Sequence, residues 1–140
     1  MEGLGIAASV IAVIELSAKI FSVCVEYSRT VKDATKDISR LQGELKSLQD
    51  VLEKIKQLLD GPNGSRLSAS LLLSETLKGC LSQLQTLQSR LSPSIPRKYI
   101  GRIGLRALKW PFETKEADKI VRQLERCKQS ISLALQVDQT

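Results

Sequence analysis

The sequence contains no histidine. That absence removes Ser-His-Asp and Cys-His nucleophilic catalysis, and with them the commonest metal ligand. Aromatic residues make up only 4% of the 140 residues, so Leu, Ile, Val and Ala must fill any core. The cysteines, Cys24, Cys80 and Cys127, are odd in number, fall in three separate segments and form no CxxC. Neither a disulfide framework nor a zinc site follows from that spacing. Each lies in an apolar stripe and reads as a buried free thiol, which suits a reducing, cytosolic compartment. The chain also lacks a phosphate-binding glycine loop, metal-spaced carboxylates and a nucleophile elbow. These absences point away from an enzyme, and nothing calls for a cofactor or a metal.

What is present is ordinary for a globular chain: 42% hydrophobic and 26% charged residues. The length suits one domain, residues 1–140, able to bury a core without staples. Leu- and Gln-rich, aromatic-poor composition favours helices, because straight-chain residues lose little rotamer freedom there. The net charge of +6 is unevenly spread. Residues 1–60 hold 8 Lys+Arg and 9 Asp+Glu, residues 61–112 hold 8 and 1, and residues 113–140 hold 5 and 5. The basic character therefore belongs to the middle of the chain, where an anionic partner would meet it.

Hydrophobic spacing predicts an all-α bundle of four long helices plus one short basic helix. The first long helix runs from about 4 to 28, with Glu15, Lys19, Ser22 and Glu26 as one narrow polar stripe on an otherwise apolar cylinder. The second, 34–59, carries Ile38, Leu41, Leu45, Leu48, Leu52, Ile55 and Leu59 at alternating steps of 3 and 4, a heptad seam. Asp60-Gly61-Pro62-Asn63-Gly64 then makes a turn. The third, 67–91, carries Leu73, Leu77, Cys80, Leu84, Leu87 and Leu91, and Pro93 and Pro96 follow it. Residues 97–110 read as the short helix, weakened by Gly101 and Gly104, with a cationic cluster of Arg97, Lys98, Arg102, Arg106 and Lys109. The last helix, 114–136, has Ala117, Ile120, Leu124, Cys127, Ile131 and Ala134 on its seam and Thr114 as the expected N-cap. Such seams bury one another at shallow crossing angles in a closed bundle.

The N-terminal stretch Gly3–Val25 is the unusual one, with Glu15 and Lys19 its only charges. A signal peptide needs a positive n-region and a cleavage site, and Met1-Glu2-Gly3 supplies neither. A permanent span wants about 20 apolar residues, whereas Glu15 interrupts after Ile14. A charge near the bilayer centre costs about 2.5–3.5 kcal/mol on insertion scales. A buried bundle helix fits the pattern. So does a helix that is core in one state and membrane-inserted in an oligomer, and periodicity does not separate the two. The basic cluster reads as a solvated face or as a site for anionic lipid headgroups, each cation near such a surface contributing about 1 kcal/mol. Nucleic acid is not an expected partner: Tyr99, Trp110 and Phe112 could stack on bases, but no helix-turn-helix, KH or RRM pattern accompanies them.

The opening Gly-Leu-Gly-Ile-Ala-Ala-Ser-Val-Ile-Ala-Val-Ile-Glu-Leu, the Lys-Asp-Ala-Thr-Lys-Asp-Ile turn at Lys32–Ile38 and the stretch Leu108-Lys109-Trp110-Pro111-Phe112 resemble the HeLo-like family. This is the fungal N-terminal domain of STAND/NLR proteins, related to the HeLo domain and to mixed-lineage kinase domain-like helical bundles. The resemblance covers nearly the whole chain. It implies a domain that heads a receptor with a nucleotide-binding oligomerisation module, in the same or a partner chain. It further implies cell-death execution: the sensor oligomerises and the N-terminal helix attacks the plasma membrane. Carried over by position, Leu4, Ile6, Val10, Ile11, Val13 and Ile14 would form the inserting face. Gly3 and Gly5 would belong to the glycine-containing start, and Glu15 would be the polar residue within the helix. No role carries over for the basic cluster.

The resulting expectation is a membrane-targeting effector, cytoplasmic when inactive and at the plasma membrane as a homo-oligomer when active, with anionic lipids as its partner. The alternative is a helical signalling or oligomerisation module that docks protein partners without acting on membranes.

Overall fold

A computed structural model of the chain describes residues 2–62, 64–91 and 109–139. Among them every regular element is an α-helix: α1 (Glu2–Thr30), α2 (Thr35–Leu59), α3 (Gly64–Ser68), α4 (Leu71–Leu91) and α5 (Thr114–Gln139). The fold is all-α, with four long helices.

The heptad seams do what their spacing requires. Ile38, Leu41, Leu45, Leu48, Leu52 and Ile55 of α2 are buried, as are Leu73, Leu77, Cys80, Leu84, Leu87 and Leu91 of α4. On α5 the buried residues are Ala117, Val121, Leu124, Cys127, Ile131 and Ala134, with Ile120 half-buried beside them. α1 adds Ile6, Val10, Val13, Ser17, Ile20, Cys24 and Tyr27.

The four long helices form a ring in the order α1, α2, α5, α4, each packed on its two neighbours. α1 and α5 face each other across the diagonal. α1 and α4 run parallel, because the buried Tyr27 hydroxyl at the end of α1 donates to the Leu91 carbonyl at the end of α4 (2.7 Å). α2 and α5 also run parallel. Arg40 pairs with Asp118, and Lys128 Nζ lies 3.1 Å from Glu44 Oε2 and 2.9 Å from Ser47 Oγ. The Arg40–Asp118 pair is the more exposed of the two, so it fixes register more than it stabilises.

The ring order explains α3. The chain must cross the bundle diagonal between the end of α2 and the start of α4, and a tight turn cannot do so. α3 makes that crossing, with Leu67 buried beneath the core. The crossing is close. A Cβ on Gly64 would lie 1.9 Å from the Leu59 carbonyl oxygen, so only glycine fits there.

Three boundaries differ from the sequence-based ones. The expected helix at 67–91 is two helices, because Ser70 caps a new one: its Oγ accepts from the Leu73 N–H at 3.1 Å. The cap of α5 lies at Glu113 rather than Thr114. The Glu113 N–H donates to Glu116 Oε1 (3.4 Å) in capping-box fashion, while the Thr114 hydroxyl donates to Asp37 Oδ2 of α2 (3.3 Å). The expected short basic helix falls mostly on residues 97–108, which lie outside the described residues. Its expected last residues, Lys109 and Trp110, are not helical. The short helix among the described residues is α3.

Candidate membrane-active site

α1 is helical from Glu2, so the whole uncharged stretch up to Ile14 lies on one continuous helix. By length and composition, Gly5–Thr30 could cross a membrane, yet only 28% of its most apolar window is buried in the bundle. The remainder is surface or half-buried flank.

The residues singled out on α1 divide between two faces. Ile6, Val10 and Val13 are buried in the core, at 1%, 1% and 0% exposure. Ile11, at 44%, faces outward with Gly5 and Glu15, and Ile14 is half-buried between the two faces. Gly3 and Leu4 lie in the first turn, and the Leu4 side chain is outside what the structure describes. The residues carried over by resemblance are therefore not one surface in this packing. Three of them anchor the bundle.

The outward face changes character along its length. Gly5, Ala8 and Ile11 expose only small and apolar groups over about two turns, and from Glu15 onward Glu15, Lys19 and Ser22 are exposed. The polar stripe legible in the sequence is thus the solvent face of the C-terminal half of α1. The N-terminal half has no such cover.

Of the cationic cluster, Arg97, Lys98, Arg102 and Arg106 lie outside the described residues, and Lys109 is exposed. The anchors of the connecting segment are nonetheless fixed. Leu91 accepts from Tyr27, and Trp110 packs edge-on against both Tyr27 and Phe112 with ring centroids 5.3 Å apart. Arg90 stacks over Phe112 (4.5 Å) and pairs with Glu116 at 2.6 Å. Both ends of the basic connection therefore sit where α1 ends. Ile11 lies about 24 Å further along the same helix, at 1.5 Å per residue.

The family described as "Pigment biosynthesis cluster protein PigL N-terminal" matches residues 1–138. The chain belongs to this family. No curated protein and no solved structure matches it.

Within this PigL N-terminal domain, no group of three or more metal-ligating side chains occurs among the described residues. The titratable groups that are displaced sit on α1, α2, α4 and α5; on α1, burial pushes the Cys24 thiol up to about 12 and the Tyr27 hydroxyl up as well. A hydrogen bond from Arg90 holds the Glu116 carboxyl below its ordinary value, helped by the Glu113 N–H. On the α4–α5 seam, the hydrogen bond between Cys80 and Cys127 pushes the Cys80 thiol far up, burial adding to it, and draws Cys127 down. Sequence spacing placed both thiols on apolar stripes but not against each other. That pairing depends on the antiparallel register of α4 and α5.

Proposed function

We propose that this helical domain is a HeLo-like, membrane-targeting effector of cell death. Its α1 serves as a bundle helix at rest and enters a membrane once the domain is brought into a homo-oligomer. The observation that carries the reading is the uncharged stretch Gly3–Ile14 of α1. It belongs to a helix long and apolar enough to span a bilayer, yet Gly5, Ala8 and Ile11 are left uncovered by the bundle. In this reading the domain is cytoplasmic until a nucleotide-binding oligomerisation module, in the same or a partner chain, gathers it at the plasma membrane. Anionic headgroups are met by Lys109 together with Arg97, Lys98, Arg102 and Arg106, and no bond is made or broken. The family description, an N-terminal part of a pigment biosynthesis cluster protein, agrees with a module carried at the head of a longer chain.

The structure selects the variant for the test. Deleting residues 1–14 would strip Ile6, Val10 and Val13 from the core, so loss of activity would report only unfolding. Ile11→Glu alters the exposed face alone. Dye release from anionic vesicles is expected from the whole chain fused to a multimeric scaffold. It should fall at least tenfold in Ile11→Glu with an unchanged helical signal and melt. Absence of release from the oligomerised parent would reject the reading.

The alternative, an assembly module that docks protein partners, is favoured by a different observation. Leu71 (65% exposed), Leu72 and Leu133 (59%) leave apolar side chains on the outside of α4 and α5. Substitution at these positions, rather than at Ile11, would then abolish function.

A further inference from the structure

We propose that Cys80 and Cys127 form a redox-modifiable pair, which a peroxide-class oxidant converts to a disulfide that fastens α4 to α5. The proposal is independent of any action of α1 on membranes. Both cysteines are free and buried in this structure, on the facing seams of two antiparallel helices. One contact places Cys127 against this stretch of α4: its Sγ donates to Gln83 Oε1 at 2.9 Å, and Cys80 lies three residues before Gln83, one turn away on that face. Cys24, on α1, is hydrogen-bonded to neither.

The two thiols are not equivalent. The hydrogen bond from Cys80 favours the thiolate of Cys127 and holds Cys80 protonated. Cys127 is also the more exposed, at 7% against 2%, and its partner Gln83 lines a surface groove of about 390 Å³ between α4 and α5. Cys127 is therefore the attacking sulfur and Cys80 the resolving one. The Cys127 thiolate displaces hydroxide from hydrogen peroxide and becomes a sulfenic acid. The Cys80 sulfur then attacks the Cys127 sulfur and expels the sulfenic hydroxyl, which leaves as water with the Cys80 proton. Two thiols are oxidised to one disulfide and one peroxide is reduced to two waters. The cross-link closes the chain between residues 80 and 127 and constrains the unfolded state more than the folded one.

The experiment treats the whole folded chain with hydrogen peroxide, alkylates it under denaturing conditions and maps the peptides. The expected result is a Cys80–Cys127 linked peptide with Cys24 alkylated. The melting temperature should rise by on the order of 10 °C and return to its starting value with dithiothreitol. In Cys80→Ala, dimedone should label Cys127, which in the parent it labels at least tenfold less. The proposal is overturned if all three cysteines remain alkylatable after oxidation, if Cys24 enters the link, or if Cys127 proceeds to sulfinic acid without a link. The peptide map of the parent decides the matter even if the variant fails to fold.

Discussion

Ser17 sits at 0% exposure in the middle of α1, with its hydroxyl unpartnered among the described residues. An unpaired buried hydroxyl costs on the order of 1–3 kcal/mol. Its neighbours along the seam, Val13 and Ile20, are wholly apolar, so the residue weakens the packing of α1 where a methyl would serve. Ser17→Ala is expected to stabilise the bundle by about 1 kcal/mol, read as a higher urea midpoint at unchanged slope. A lower midpoint would mean that the hydroxyl finds a partner in solution. If α1 must leave the bundle to act, the same variant should also be slower in vesicle release, because its resting state is deeper.

At the scale of elements, the sequence marks the seams of α2, α4 and α5 plainly. A strict 3,4 alternation flanked by Lys, Gln and Ser leaves one face to bury, and the structure buries it. α1 is harder, since apolar residues surround it and no single stripe stands out. Its inner face was still recoverable as the side opposite Glu15, Lys19, Ser22 and Glu26. That rule selects Ile6, Val10, Val13, Ile20 and Cys24, and it sets Ile11 apart from them. The break between α3 and α4 left a weaker trace. Ser68-Ala69-Ser70 before three leucines is a capping sequence hidden by the continuous apolar run behind it. Because the Ser70 hydroxyl accepts the Leu73 N–H in a buried setting, Ser70→Ala should cost about 1 kcal/mol in equilibrium unfolding. An unchanged midpoint would show that water or a shifted backbone replaces the cap.

At the scale of the whole molecule, α5 is fastened to the rest by polar contacts at its first turns, and this gives the bundle an acid limit. The Glu116 carboxyl is depressed below its ordinary value of 4.5 by Arg90. A group depressed in the folded state lends stability above its unfolded value and loses it as pH falls through the folded one. Melting temperature should therefore decline below about pH 4.5, and the decline should be shallower in Glu116→Gln, which has no carboxylate to protonate. Parallel acid limbs in the two proteins would show that the loss does not come from Glu116.

The same end of the bundle holds both anchors of the basic connection, and this separates two events that the sequence alone runs together. Trp110 packs on Tyr27, whereas Ile11 lies about 24 Å away along α1. Electrostatic attraction to an anionic surface fades within about 8 Å at physiological salt. In the proposed reading, a bundle docked through the end that carries Tyr27 and Trp110 would hold Ile11 in water, and only rearrangement of α1 would bring that position to the bilayer. An environment-sensitive fluorophore on Ile11→Cys, whose thiol is exposed while the three native ones are buried, reads the distinction. The monomeric chain should bind anionic vesicles in a salt-sensitive manner without a blue shift at position 11. The shift should appear only when the chain is oligomerised on a scaffold, and on the timescale of dye release. A blue shift on monomer binding would mean that the bundle lies side-on or opens unaided. α1 would then be the membrane contact from the start, and oligomerisation would serve release alone.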